Sequence, residues 1–318
     1  MITLNYLTHG VEREHFHKLN FYFLNKIKKE NKAKIRLQVL MTGTERADDW
    51  YEYASRKLEG IEFKVIPFTS IPSNYMDKAR FAAHTSGRYM VKWDEDYFIN
   101  NHVWDYLIEN CHLLDSGENL SLAPLSSTGI PTSELFVNNY FDEKDIHELH
   151  QSLLGTKFSL LWGYDYSHLN EFTLDSDSWD GEAFYSATNA INYHYKGINP
   201  YRIGSSPQNL INDKLLQNLE KFVEKQDYNI TCLNRYFCNH LNMMLTDEYR
   251  TIISDRSLVV DGVDEVPFNK YAVKTGKNLL FVENGFGIHI MYNTIWDEGT
   301  NFQNQLDFYA ELERGSMK

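Results

Sequence analysis

Chemistry is first suggested by the segment Lys92-Trp93-Asp94-Glu95-Asp96, which follows the apolar run Tyr89-Met90-Val91. Side chains alternate along an extended chain, so Asp94 and Asp96 face one way while Trp93 and Glu95 face the other. Two carboxylates about 7 Å apart along a strand can together hold a hard divalent ion and leave it positions for phosphate oxygens. An ion held there would neutralise the charge of a departing diphosphate. A solvated acidic turn has the same composition, so the pair gains meaning only from where its strand ends.

A second acidic pair, Asp264-Glu265, precedes Val266-Pro267-Phe268-Asn269 and opens a helix, with the proline in a first turn that tolerates it. Acidic groups there suit the helix dipole. The alternative is chemical: one of the two serves as a proton-accepting base or binds an acceptor.

These residues need a scaffold that brings strand ends together. The spacing predicts strands over 2–7, 35–41, 61–68 and 88–93, with helices over 12–29, 48–58 and 74–85 between them. Gly60 is expected to close the second of these helices. That β-α-β-α-β-α-β order predicts an α/β fold with a mostly parallel central sheet flanked by helices. In such sheets ligands sit beyond the carboxyl ends of the strands, which points to the loops after Leu7, Met41, Phe68 and Trp93. Farther on, helices are expected over 101–114, 143–154, 207–225, 230–245, 266–275 and 302–314, and strands over 258–260 and 278–283. An irregular polar and aromatic stretch covers 162–200. No linker composition divides the chain, so residues 1–318 are expected to form one domain: a nucleotide-binding half over 1–100 and an acceptor-side half over 101–318.

The run Asp77-Lys78-Ala79-Arg80, then Gly87-Arg88-Tyr89-Met90-Val91, then Asp94-Glu95-Asp96 resembles the GT-A fold nucleotide-sugar glycosyltransferases, in particular their large inverting family 2. Thr85-Ser86-Gly87 stands where that family has Ala-x-Gly, and Phe81 where it has Asn. The resemblance covers roughly the first hundred residues. It implies that Asp94 and Asp96 serve the metal and the sugar nucleotide, with Glu95 between them among the donor contacts. It further implies that Lys78 and Arg80 lie near the nucleotide, and that Thr8, His9 and Gly10 with Thr42 and Gly43 line the nucleoside pocket. The distal acids resemble both the acidic pair of inverting GT-A enzymes and the Asp-Gln-Asp-x-Leu-Asn of glycogenin-like retaining ones, which leaves the stereochemistry open. His289, in Gly285-Phe286-Gly287-Ile288-His289, would be the third metal ligand. Imidazole suits Mn²⁺ better than Mg²⁺, and either is the implied cofactor beside a UDP- or GDP-sugar. A lone histidine between apolar residues also has an ordinary structural reading.

Composition narrows the partners. With 31 basic and 44 acidic residues the formal net charge is −13, which disfavours avid binding to a phosphate backbone. A transferase acting on modified DNA bases is thereby disfavoured without being excluded. Mean hydropathy is −0.48, and no run approaches the roughly 20 apolar residues of a spanning helix. The N-terminus reads as a strand and not as a signal peptide. The three cysteines have no zinc-ligand spacing and fit a reducing, cytoplasmic setting. The acidic loop from Asp175 to Glu182 fails as a calcium loop because its glycine falls late. Two alternatives to sugar transfer stand. Nucleotidyl transfer to a sugar phosphate would call for a glycine-rich loop after the first strand, where only Gly10 is found. A non-catalytic carbohydrate-binding relative would not need the intact Asp94/Asp96 pair.

Overall fold

The computed structural model describes residues 1–8, 14–42, 47–68, 86–126, 140–153, 160–161, 164–165, 213–214, 217–224, 226–232, 240–258 and 266–289. The chain begins with β1 (Ile2–Thr8), α1 (Glu14–Asn25), a short α2 (Lys29–Lys32), β2 (Ile35–Thr42), α3 (Ala47–Lys57), β3 (Glu62–Phe68) and β4 (Tyr89–Asp94). The helix expected over 12–29 stops at Asn25. The backbone N–H of Lys28 donates to the Asp105 carboxylate at 3.0 Å, which turns the chain before α2 starts. Gly60 follows α3 with φ +70, a left-handed conformation in which a side chain would be strained.

After β4 come β5 (Tyr97–Ile99), α4 (Asn101–Asn110), β6 (Asn119–Ser126), α5 (Glu143–Leu153), a minimal hairpin of β7 (Leu160–Leu161) and β8 (Tyr164–Asp165), and α6 (Leu219–Glu224). Then follow β9 (Asn229–Cys232), β10 (Leu241–Leu245), α7 (Thr246–Ser254), α8 (Val266–Thr275) and β11 (Asn278–His289). The Asn100 side chain accepts from the Val103 N–H and so fixes the start of α4. The helix expected to 114 passes after Asn110 into a 3₁₀ segment, Cys111–Ser116.

A single helix over 230–245 is not what forms. That stretch supplies β9 and β10, and the helix, α7, begins at Thr246. Leu241, Met243 and Met244 are buried between β4 and β6, and a short apolar run of this kind has no periodicity that separates strand from helix. β6 occupies a stretch to which the sequence reading assigns no element. The expected elements over 74–85 and 302–314, most of 207–225 and the strand beyond Leu258 lie outside the described residues, as does the Asp175–Glu182 loop.

The large sheet has the order β3-β2-β1-β4-β10-β6-β11-β5, with β9 also on β11. β3, β2, β1 and β4 are mutually parallel, as the alternating pattern predicts. The remainder is mixed: β10 runs antiparallel to both β4 and β6, β6 and β11 are parallel, and β5 and β9 are antiparallel to β11. Every residue of β1 is buried, as expected of a strand covered on both faces. One face presents Leu4, Tyr6, Val39, Val91 and Trp93 to Phe21 and Leu24 of α1, Trp50 of α3, and Trp104 and Leu107 of α4. Among the described residues no helix is long and apolar enough to cross a membrane.

Candidate active site

The chain leaves β1 toward β2 and β3 on one side, and β4 lies on the other side of β1. The carboxyl ends of β1 and β4 therefore flank a topological switch point, where open α/β sheets bind ligands. Asp94 is the last residue of β4, paired with Leu7, and Glu95 and Asp96 form the turn into β5. The turn is held from three directions. The Asp94 N–H donates to the His240 carbonyl at 2.9 Å, the Glu95 N–H donates to the Leu7 carbonyl at 3.1 Å, and the Trp93 indole N–H donates to the Tyr97 carbonyl at 2.8 Å.

Asp94 and Asp96 gather one set of partners. Lys92, two residues back on the same face of β4, bonds its ammonium to Asp94 Oδ2 and is itself 1% exposed. His240 Nδ1 lies 3.5 Å from the same oxygen. His289 Nε2 lies 3.5 Å from Asp96 Oδ2. The two imidazoles stack on each other at 3.5 Å between centroids, and Tyr97 stacks on His240 at 5.7 Å. The side chains of Asp94 and Asp96 keep 23% and 20% of their surface exposed.

The charges follow from these contacts. Burial pushes the Asp94 carboxyl up, but the Lys92 ammonium and the His240 hydrogen bond outweigh it and hold it below the ordinary carboxylate value. Burial likewise opposes ionisation of Asp96, and the adjacent His289 overcomes it and holds Asp96 far down. His240 is pushed down to about 3 by burial first and by neighbouring His289 second, so it is neutral at physiological pH. The site thus holds two ionised carboxylates, one ammonium that balances one of them, and an imidazole with no charge of its own.

Glu95 turns the opposite way. It is 2% exposed, and its carboxylate accepts from Thr8 Oγ1 at 2.5 Å and lies 3.9 Å from His17 Nε2. Tyr6 Oη is 2.7 Å from His17 Nδ1, and Asn20 Nδ2 donates to both Tyr6 Oη, at 3.1 Å, and the Glu95 carbonyl, at 2.8 Å. Thr8 and Glu95, which the resemblance implies among the donor contacts, are both turned into the interior beneath α1.

β11 brings His289 into place through a bulge. Its register against β6 shifts between Val282 and Phe286, Asn284 adopts φ 61, and only then does the strand pair with β5, His289 opposite Tyr97. Gly287 has no room for a side chain: a Cβ there would lie 1.9 Å from the Tyr97 hydroxyl. Of the residues singled out in the sequence, the structure brings Asp94, Asp96 and His289 together. Thr42 ends β2. His9, Gly10, Lys78, Arg80, Asp264 and Glu265 lie outside the described residues. Lys92 and His240 join the site without having been foreseen. A lysine inside an apolar strand, two residues before Asp94, was a legible signal. His240 was hidden by reading its segment as helix.

Could this site hold a divalent ion? Carboxylate and imidazole together are the donor types that suit Mn²⁺. Among the described residues no three such side chains already converge on one point. Asp96 with His289 is the pair best placed to act, with Asp94 engaged by Lys92, and phosphate oxygens would have to complete the shell. The residues fit the ion as a partial site.

No protein-family model matches the chain, and no curated protein matches it. Among solved structures it is similar to TarS 1-349 of S. aureus in complex with UDP-GlcNAc, with 16% identity over 39% of this chain and 34% of that one and a TM-score of 0.31. It is similar to GalNAc-T7 with UDP, GalNAc and Mn²⁺, with 12% identity over 92% of this chain and 43% of that one and a TM-score of 0.45. A third similar structure is 4-diphosphocytidyl-2C-methyl-D-erythritol synthase from Anaerococcus prevotii DSM 20548, with 7% identity over 98% and 96% of the two chains and a TM-score of 0.46. The chain thus spans about a third of the TarS fragment and less than half of GalNAc-T7.

Proposed function

We propose that the chain is a metal-dependent glycosyltransferase that moves a sugar from a UDP- or GDP-linked donor to a hydroxyl-bearing acceptor. One observation carries this reading: two ionised carboxylates, Asp94 and Asp96, stand at the β1/β4 switch point with His289 beside Asp96.

In this reading Asp96 and His289 hold Mn²⁺ or Mg²⁺, and the ion, when bound, supplies the Lewis acidity that neutralises the leaving nucleoside diphosphate. Asp94 faces the donor from the same side. Lys92 fixes its rotamer and balances its charge, so the carboxylate pair does not repel an incoming diphosphate with its full charge. Neutral His240 fills the space behind them. Lys78, Arg80, His9, Gly10 and Thr42 line the nucleotide, and Glu265 or Asp264 accepts the proton of the attacking hydroxyl.

The test is a release assay on UDP- and GDP-sugars, with Mn²⁺ and with chelator, in the wild type and Asp96→Ala. The expected result is nucleotide release that needs Mn²⁺ and falls by at least about two orders of magnitude in the variant, since an unneutralised diphosphate is a poor leaving group. Release indifferent to both chelator and the substitution contradicts the proposal. So does pyrophosphate release from a nucleoside triphosphate and a sugar phosphate, which is nucleotidyl transfer.

A further inference from the structure

We infer that α1 and the end of β1 form a clamp on the acidic turn, in which Thr8, His17 and Asn20 grip Glu95 and thereby aim Asp94 and Asp96. Glu95 is then a positioning residue that touches neither metal nor donor. The inference rests on the proposed function, since it concerns what the two aspartates are aimed at.

The grip is complete. Glu95 is held at its backbone N–H by Leu7, at its carbonyl by Asn20, and at its carboxylate by Thr8, with His17 3.9 Å away. The direction of the Asn20 bonds can be assigned. A carbonyl only accepts, so Asn20 must present Nδ2 to Glu95, and the same Nδ2 then donates to Tyr6 Oη. Tyr6 Oη lies 2.7 Å from His17 Nδ1; with the Tyr6 hydroxyl as the donor of that bond, the His17 proton sits on Nε2, facing Glu95. Burial and the charge of Glu95 keep the Tyr6 hydroxyl protonated for this task. Every member of the chain of bonds is buried: Tyr6, Thr8 and His17 are 0% exposed and Asn20 is 1% exposed.

A turn that needed only to be stable would place an apolar residue here, because a buried carboxylate is costly to desolvate even when paired. Its use lies in geometry. In the turn Glu95 faces Thr8 while Asp94 faces His240 and Asp96 faces His289, so fixing the middle residue to β1 and α1 restrains its two neighbours. Outer partners that orient ligating residues commonly change metal affinity by 10–100-fold when removed.

The experiment is Mn²⁺ titration of the full chain followed by electron paramagnetic resonance, with melting temperature recorded on the same samples. The variants are Thr8→Val, Thr8→Ser and Asp96→Ala. Thr8→Val keeps shape and loses the hydroxyl, and Mn²⁺ binding is expected to weaken about tenfold or more. Thr8→Ser keeps the hydroxyl and should restore it, a rescue that a purely structural role does not require. Unchanged Mn²⁺ affinity in folded Thr8→Val, alongside lost affinity in Asp96→Ala, overturns the clamp and leaves the proposed function standing. Wild-type affinity in Asp96→Ala overturns the functional reading and the clamp with it. Should Thr8→Val not fold, His17→Asn is measured in its place, with the same expected weakening and the same contrary result.

Discussion

Asp94 and Asp96 share one feature that decides their chemistry: each is ionised in spite of burial, because a cationic or imidazole neighbour lies within 3.5 Å. That arrangement has a signature in pH. His240 is depressed to about 3 in the folded chain, whereas in the unfolded chain it takes up a proton near its ordinary value of 6.5. Between those values the unfolded state binds more protons, so stability falls as pH drops below 6.5. The lowered carboxyls of Asp94 and Asp96 add a separate loss, beginning only below their ordinary value of 3.8. Urea midpoints of the metal-free protein from pH 7 to 4.5 should therefore decline, and the decline should be shallower in His240→Gln. Equal slopes would show that His240 is not held neutral. The carboxylates were legible in the sequence because alternation along a strand is local. His240 was not, because its place beside Asp94 depends on β10 pairing with β4 across almost 150 residues of chain.

At the scale of elements, the site is set by how two strands end. β4 stops at Asp94 in a turn pinned by β1, α1 and β10, and β11 reaches the same point only after its bulge. The bulge explains why a strand expected over 278–283 runs on to His289: the residues that looked like a loop, Asn284 and Gly285, are the shift in register rather than an end. Gly287 is the tightest point. Gly287→Ala puts a methyl group onto Tyr97, whose hydroxyl bonds to the Leu125 carbonyl at 3.1 Å and whose ring backs His240. Overpacking of this kind costs about 1–3 kcal/mol. The variant should melt lower and, through displaced His240 and His289, bind Mn²⁺ more weakly. A variant that melts as the wild type does would mean that β11 lies farther from β5 than described.

For the molecule as a whole, the N-terminal parallel strands were readable because each is a short, mostly apolar segment with polar residues at alternate positions, and helical patterns separate them. The mixed half was not, since β5, β9 and β10 are short and, like β6, are defined by partners distant in sequence. One location is nevertheless central: the carboxyl ends of β1 and β4. The measurement that tests it most directly is a crystal structure of the protein with UDP or GDP and Mn²⁺, with anomalous scattering used to find the metal. The expected result is an anomalous peak against Asp96 and His289, bridged to the diphosphate of a nucleotide lying across the β1 and β4 ends. A nucleotide bound elsewhere, or manganese bound away from Asp94 and Asp96, would contradict it.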